Sequence, residues 1–191
     1  CLGLFLGLTS LAPALADEDI SLKTRPGVTV ELARRDVNNP TAMILMFPGG
    51  PGHLNLHGRG PVAQFYKPLM AQGFSIAAMD APSDMSNGLS PRARGTDEHL
   101  QDLKAVIAHL RKVSSLPLWV WGISRGAYSA GHAAVNAIPG VSGYVFLSSP
   151  TRLPRRANVD GVAGMALDRI KAPVLYLSRS KSCIDRTPRA Q

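Results

Sequence analysis

In "LPLWVWGISRGAYSAGHAA", residues 116–134, an apolar, β-prone run meets Gly122-Ile123-Ser124-Arg125-Gly126, and small residues follow at helical spacing. A serine flanked at this spacing by glycines suits a nucleophile held out at a tight strand-to-helix turn. The glycines let strand and helix approach without a Cβ between them. The helix N-terminus favours negative charge beside the hydroxyl. Such a serine attacks a carbonyl carbon, and the attack develops an oxyanion. Three fixed positions also recur by accident, and then the stretch is only a strand, a turn and a helix. Context decides for a nucleophile at Ser124, because Gly126, Ala127, Ala130, Gly131 and Ala134 provide a closely packed helix directly behind it.

An oxyanion needs pre-aimed N–H donors, and one follows Ser124 directly, on Arg125. The second is expected from Pro48-Gly49-Gly50-Pro51-Gly52, where glycines allow main chain to approach a substrate. Pro51 has no N–H, and Gly50 is the expected donor. The same loop fits a plain turn or a phosphate cradle; no Gly-Lys-Ser/Thr follows it to strengthen the phosphate reading.

These residues need a scaffold, and the chain alternates in the manner of one. Residues 20–24 and 28–33 alternate as strands around Arg25-Pro26-Gly27, a turn signal. "AMILMF" at 42–47 and "FSIAAMD" at 74–80 are continuous apolar runs, as strands covered on both faces are. Between them, Val62, Phe65, Leu69 and Met70 recur at helical spacing before Gly73. Thr96 offers an N-cap to a helix with Asp97 and Glu98 in its first turn and Arg111-Lys112 at its end. Strand 118–121, helix 125–137, strand 144–148 and strand 174–178 follow. This predicts an α/β domain with a mostly parallel, doubly wound sheet, helices on both faces and an antiparallel N-terminal hairpin. The Gly-rich loop, "DAPSDMSNG" and the Ser124 turn all fall at the carboxyl ends of strands, where such sheets bind ligands.

With these motifs in place, "ILMFPGGPG", "GFSIAAMDAPSD", "LPLWVWGISRGAYSA" and "APVLYLS", in this order and spacing, resemble the α/β-hydrolase fold. More narrowly they are similar to a group of exported bacterial hydrolases, over about residues 41–178. The resemblance implies a serine hydrolase acting on an ester-like bond of a small-molecule substrate, through an acyl-enzyme on Ser124 and without a cofactor. It also implies an acid just after strand 174–178 and a histidine after one further strand. Here the chain departs from the pattern, because Lys181 stands where the acid is expected. Asp185 is the candidate acid, with Asp160, before the strand, as a lesser one. Only His132 follows Ser124, eight residues on in the same helix and ~12 Å along its axis, too far to act as base. His53 and His57 lie in the Gly-rich loop, where contact with substrate or solvent is expected, and His99 and His109 are expected on a helix surface. The last strand and helix are therefore expected to be missing. Three readings compete: a fragment, a chain altered in its tail, or a catalytically silent binding module on the same shell.

Several other features narrow the class. Asp80 is expected to cap or brace its loop, since a metal site with Asp84 lacks further ligands. Arg92 and Arg94 are expected in a solvated loop, with reach to an anionic substrate group as the alternative. Of the net charge of +8, residues 152–191 carry most, with nine Lys and Arg against three Asp. No aromatics interleave these cations in the manner of nucleic-acid binding, and a solvated basic face is expected. "CLGLFLGLTSLAPALA", residues 1–16, is uncharged and ends in Ala-Leu-Ala, a signal-peptidase pattern. It is too short to span a bilayer, so 1–16 is read as part of a signal peptide and 17–191 as the hydrolase domain, exported to the periplasm or beyond without a stable membrane anchor. Cys183 is then an odd cysteine in an exported chain.

Overall fold

The computed structural model describes residues 17–54, 61–151 and 161–178. Within them, β1 (Asp17–Arg25) and β2 (Val28–Arg35) form the opening hairpin. Then come β3 (Ala42–Phe47), α1 (Pro61–Ala71), β4 (Phe74–Met79) and α2 (Asp97–Val113). They are followed by β5 (Leu118–Ile123), α3 (Gly126–Val135), β6 (Gly143–Leu147) and β7 (Val174–Leu177). The strands make one sheet in the order β1-β2-β4-β3-β5-β6-β7. Pairing is antiparallel for β1–β2 and β2–β4 and parallel from β4 onward. The sheet is thus the mostly parallel one the alternation predicts, with the antiparallel hairpin at one edge.

The continuous apolar runs are continuous because both faces are covered. Along β3, Met43, Leu45 and Phe47 enter one core with Leu103, Ile107 and Leu110 of α2 and Ala130 and Ala134 of α3. Ile44 and Met46 enter the other, with Ile76, Trp121 and Val62, and Phe65 and Leu69 of α1 pack against it. Phe65 and Trp121 meet there with ring centroids 5.6 Å apart. Helix α2 starts where expected, as Thr96 Oγ1 accepts from the His99 N–H at 3.3 Å.

Strand limits differ from expectation where pairing extends them. β1 begins at Asp17 because it pairs with Arg35, whose guanidinium also forms ion pairs with Asp17 and Asp19. β5 runs on to Ile123 because that residue pairs with Leu147. The hairpin is tied to α2 by Arg25, which donates to the buried Asp102 through Nε (2.8 Å) and Nη2 (3.0 Å). Arg25 also pairs with Asp84 at 3.0 Å, so that carboxylate braces a turn. At the opposite edge all four β7 side chains are exposed. No helix among the described residues is long and apolar enough to cross a membrane.

Candidate functional site

In the sheet order β4-β3-β5 the strands run parallel, so the loops leaving their carboxyl ends are neighbours. These are the three loops the sequence singles out. Ser124 leaves β5 with φ +50°, a left-handed conformation that costs a non-glycine residue ~1–3 kcal/mol. Its N–H donates to Leu147 O (2.8 Å) and its carbonyl accepts from the Ala127 N–H (3.0 Å), which joins the turn to β6 and α3. A Cβ on Gly126 would lie 2.0 Å from Phe47 O, and one on Gly122 would lie 2.5 Å from the Ala127 Cα. Both glycines are therefore needed for strand, helix and the end of β3 to close on one another. Ser124 and Arg125 are half-buried.

The Gly-rich loop lies directly against this turn. A Cβ built on Gly49 comes within 3.1 Å of the Ser124 Cβ. Gly50 has φ +59° and lies close to the Arg125 guanidinium. The Gly52 N–H donates to Gly49 O at 3.0 Å, which orients the peptide carrying the Gly50 N–H. Among the described residues, neither the Gly50 N–H nor the Arg125 N–H donates to another backbone group. The structure thus brings Ser124, Gly50 and Arg125 together.

Asp80 directly follows β4 and accepts N–H bonds from Ala81 (2.7 Å) and Leu54 (3.0 Å), bracing the loop as expected. Its Oδ1 is also 3.5 Å from Nδ1 of the exposed His53. His132 lies within α3, eight residues beyond Ser124. Burial pushes its pKa down, partly offset by a hydrogen bond to the Arg94 backbone. His57, Asp160, Cys183, Asp185 and residues 1–16 lie outside the described residues.

Two expectations are overturned. Arg94 is not in a solvated loop: it is 1% exposed, in a short 3-10 turn at 93–95 that directs it inward. Its Nη2 donates to Pro48 O (3.1 Å) and Gly50 O (3.3 Å), and its Nη1 to Ser129 Oγ (2.9 Å). His99 is not on the helix surface either: it is buried, with Nε2 2.9 Å from the same Ser129 Oγ. Burial, then the charge of Arg94, push its pKa down to about 3, so the imidazole is neutral. His109 is half-buried, its Nε2 without a partner among the described residues. The network Arg94–Ser129–His99 has no local sequence signal. Ser129 lies 35 residues from Arg94 and 30 from His99, and Arg94 sits in "SPRARGT", whose polarity reads as surface.

A sequence profile described as serine aminopeptidase, S33 matches residues 38–183, most of the chain and all of the elements around this site. The chain belongs to this family. Solved structures share the fold of this S33 family member. An a/b serine hydrolase without lid from Xanthomonas campestris matches with TM-score 0.59 at 18% identity, over 84% of this chain and 69% of that one. An esterase from Pyrococcus furiosus matches with TM-score 0.62 at 18% identity, over 85% of this chain and 70% of that one. A proline iminopeptidase from Mycobacterium smegmatis matches with TM-score 0.55 at 14% identity, over 71% of this chain and 45% of that one. No curated protein sequence matches the chain.

Proposed function

We propose that this α/β serine hydrolase cleaves an ester-like bond through an acyl-enzyme on Ser124. The observation that carries the reading is the left-handed Ser124 turn with the Gly49–Gly50 loop packed against it. In the first step Ser124 Oγ bonds to the substrate carbonyl carbon and its proton passes to a base. The oxyanion is held by the N–H groups of Gly50 and Arg125, worth ~3–4 kcal/mol of barrier for a well-aimed donor. The carbonyl re-forms as the C–O bond to the alcohol breaks, and the alcohol leaves with the proton. Water then attacks the acyl-enzyme in the same geometry and releases the acid. Among the described residues, His53 beside Asp80 is the first candidate for the base; Asp185 is kept as a candidate acid.

The family's description names an aminopeptidase, and two of the solved relatives are named as an esterase and a proline iminopeptidase. The charge around the turn supports the ester. The guanidinium of Arg125 beside Gly50 disfavours a free α-ammonium group there, while Asp80 is committed to two loop N–H groups. Export belongs to the same proposal and is supported by the uncharged segment ending in Ala-Leu-Ala.

The test is reaction of the purified chain with a fluorophosphonate, located by mass spectrometry, with Ser124→Ala as control. The expected result is a single adduct at Ser124, and faster release of nitrophenol from p-nitrophenyl acetate than of nitroaniline from amino-acid p-nitroanilides. A folded chain that takes no label at Ser124 refutes the nucleophile, and a preference for the anilides refutes the ester. Loss of labelling in His53→Ala would assign the base.

A further inference from the structure

We propose that Arg94 is a positioning residue for the oxyanion donors, acting through the carbonyls of Pro48 and Gly50. The inference rests on Ser124 being the nucleophile. Three consecutive carbonyls in the Gly-rich loop are each held: Pro48 O and Gly50 O by Arg94 Nη2, and Gly49 O by the Gly52 N–H. Peptide groups are planar and trans, so fixing a carbonyl fixes the N–H on the opposite side of the same plane. The peptide carrying the Gly50 N–H is thus fixed directly by Gly52, and the peptides on either side of it are held by one guanidinium. Arg94 in turn is anchored from behind by Ser129 Oγ, on the first turns of the helix that starts beside Ser124. One buried side chain therefore ties the loop to the helix that follows the nucleophile.

The surroundings of Arg94 argue against a plain structural ion pair. No carboxylate pairs with it among the described residues; the buried Asp102 is taken by Arg25. Burial, then the neighbouring charge of Arg125, lower its pKa to about 10, which leaves it cationic at neutral pH. A buried cation with no carboxylate beside it among the described residues polarises the peptides it grips, which flank the one carrying the Gly50 N–H. Its field also favours negative charge at the loop, where an oxyanion forms. Gly52 permits the grip, because a Cβ there would lie 2.8 Å from Arg94 Nη2.

The test compares acylation of the full chain by p-nitrophenyl acetate and by its thionoester, followed as the adduct on Ser124. Sulfur accepts hydrogen bonds weakly, so the thionoester draws little on the oxyanion donors. In Arg94→Met the oxygen ester is expected to slow by about ten- to a hundredfold, below the ~10²–10³ that losing a whole donor costs. The thionoester is expected to change far less, so the ratio between the two falls. Arg94→Lys, which keeps the cation but loses the fork that joins the loop carbonyls to Ser129, is expected to recover part of the ratio. Ser129→Ala, which removes only the rear anchor, gives a smaller fall in the same direction and serves if Arg94→Met does not fold. Equal slowing of both esters, or an unchanged ratio, in a folded variant overturns the role of Arg94. Absence of any adduct on Ser124 in the wild-type chain instead overturns the nucleophile, and this proposal with it.

Discussion

Gly126 is the point where the first turn of α3 meets the end of β3, and Gly126→Ala tests that junction. The added Cβ would lie 2.0 Å from Phe47 O and 2.9 Å from both Phe47 C and Pro48 O. Ordinary contact starts near 3.4 Å, and every atom it meets is backbone, so no side-chain rotation relieves the overlap. Helix and strand end must part by more than an ångström, and overpacking of this kind costs about 3 kcal/mol. For a chain of this size that lowers the melting temperature by roughly 6–12 °C. The displaced segment carries Gly49 and Gly50, and misplacement by ~1 Å is worth ~10²-fold in rate. Gly95→Ala is the matched control: it has ordinary φ and nothing within 4 Å of the added Cβ. Circular dichroism melts of the three chains, with fluorophosphonate labelling rates, decide the matter. If Gly126→Ala melts with the wild type and labels at the same rate, the close approach at this turn is not what holds the site.

Three further outcomes follow from the packing. Arg25→Met leaves the Asp102 carboxylate buried without its cation and should cost about 3–5 kcal/mol in urea unfolding, with much of it restored by Arg25→Met combined with Asp102→Leu. His99 is neutral when folded, with a pKa of about 3 against an unfolded value of 6.5, so the unfolded chain binds the extra proton between those values. Its contribution to stability is complete above pH 6.5 and is lost as pH falls toward 3; the half-buried His132 adds to this slope. In His99→Gln the urea midpoint should therefore fall less steeply from pH 6.5 to 4 than in the wild type, and parallel curves would contradict the burial. The exposed β7, with Val174, Leu175 and Tyr176 each more than 40% exposed, offers an edge for association. Leu175→Lys should reduce light scattering at high protein concentration with little change in melting, and unchanged scattering would clear that edge.

Much of the frame was legible because both period and punctuation were explicit. Ala42–Phe47 is apolar at every position, and the structure covers both its faces; Thr96 followed by Asp97 and Glu98 announces the start of α2. The Ser124 turn was legible from its two glycines, each excluded from bearing a Cβ by backbone next to it. Polar burial was not legible. Arg94 and His99 differ in no local way from surface residues, and what buries them is the meeting of a loop, a helix start and Ser129 from a third element. Patterns of period two or 3.6 report which face of an element is apolar. They do not report a polar group satisfied by partners thirty or more residues away.

That hidden network explains where the fold tolerates unfavourable local choices. Of the non-glycine residues with positive φ among those described, Asn39 and Ala137 lie in exposed turns. Ser124 and Ser148 end neighbouring parallel strands, and Ser124 alone sits against the Gly-rich loop. A buried guanidinium that no carboxylate among the described residues pairs with lies behind the same loop. Along β3 and at the start of α2 propensity, pattern and capping agree, as they do in sequences that fold to one state. Strain and desolvation at one end of the sheet are thus held in place by two continuous apolar cores. Donors fixed during folding need no reorganisation when charge develops on a substrate, which is the condition for them to lower a barrier. A carboxylate beside Arg94 would remove its desolvation penalty and cancel its field at the loop together. On this reasoning the lack of a counter-ion among the described residues is part of the site's chemistry, and a substitution placing Asp or Glu within reach of Arg94 should raise stability while slowing acylation of Ser124.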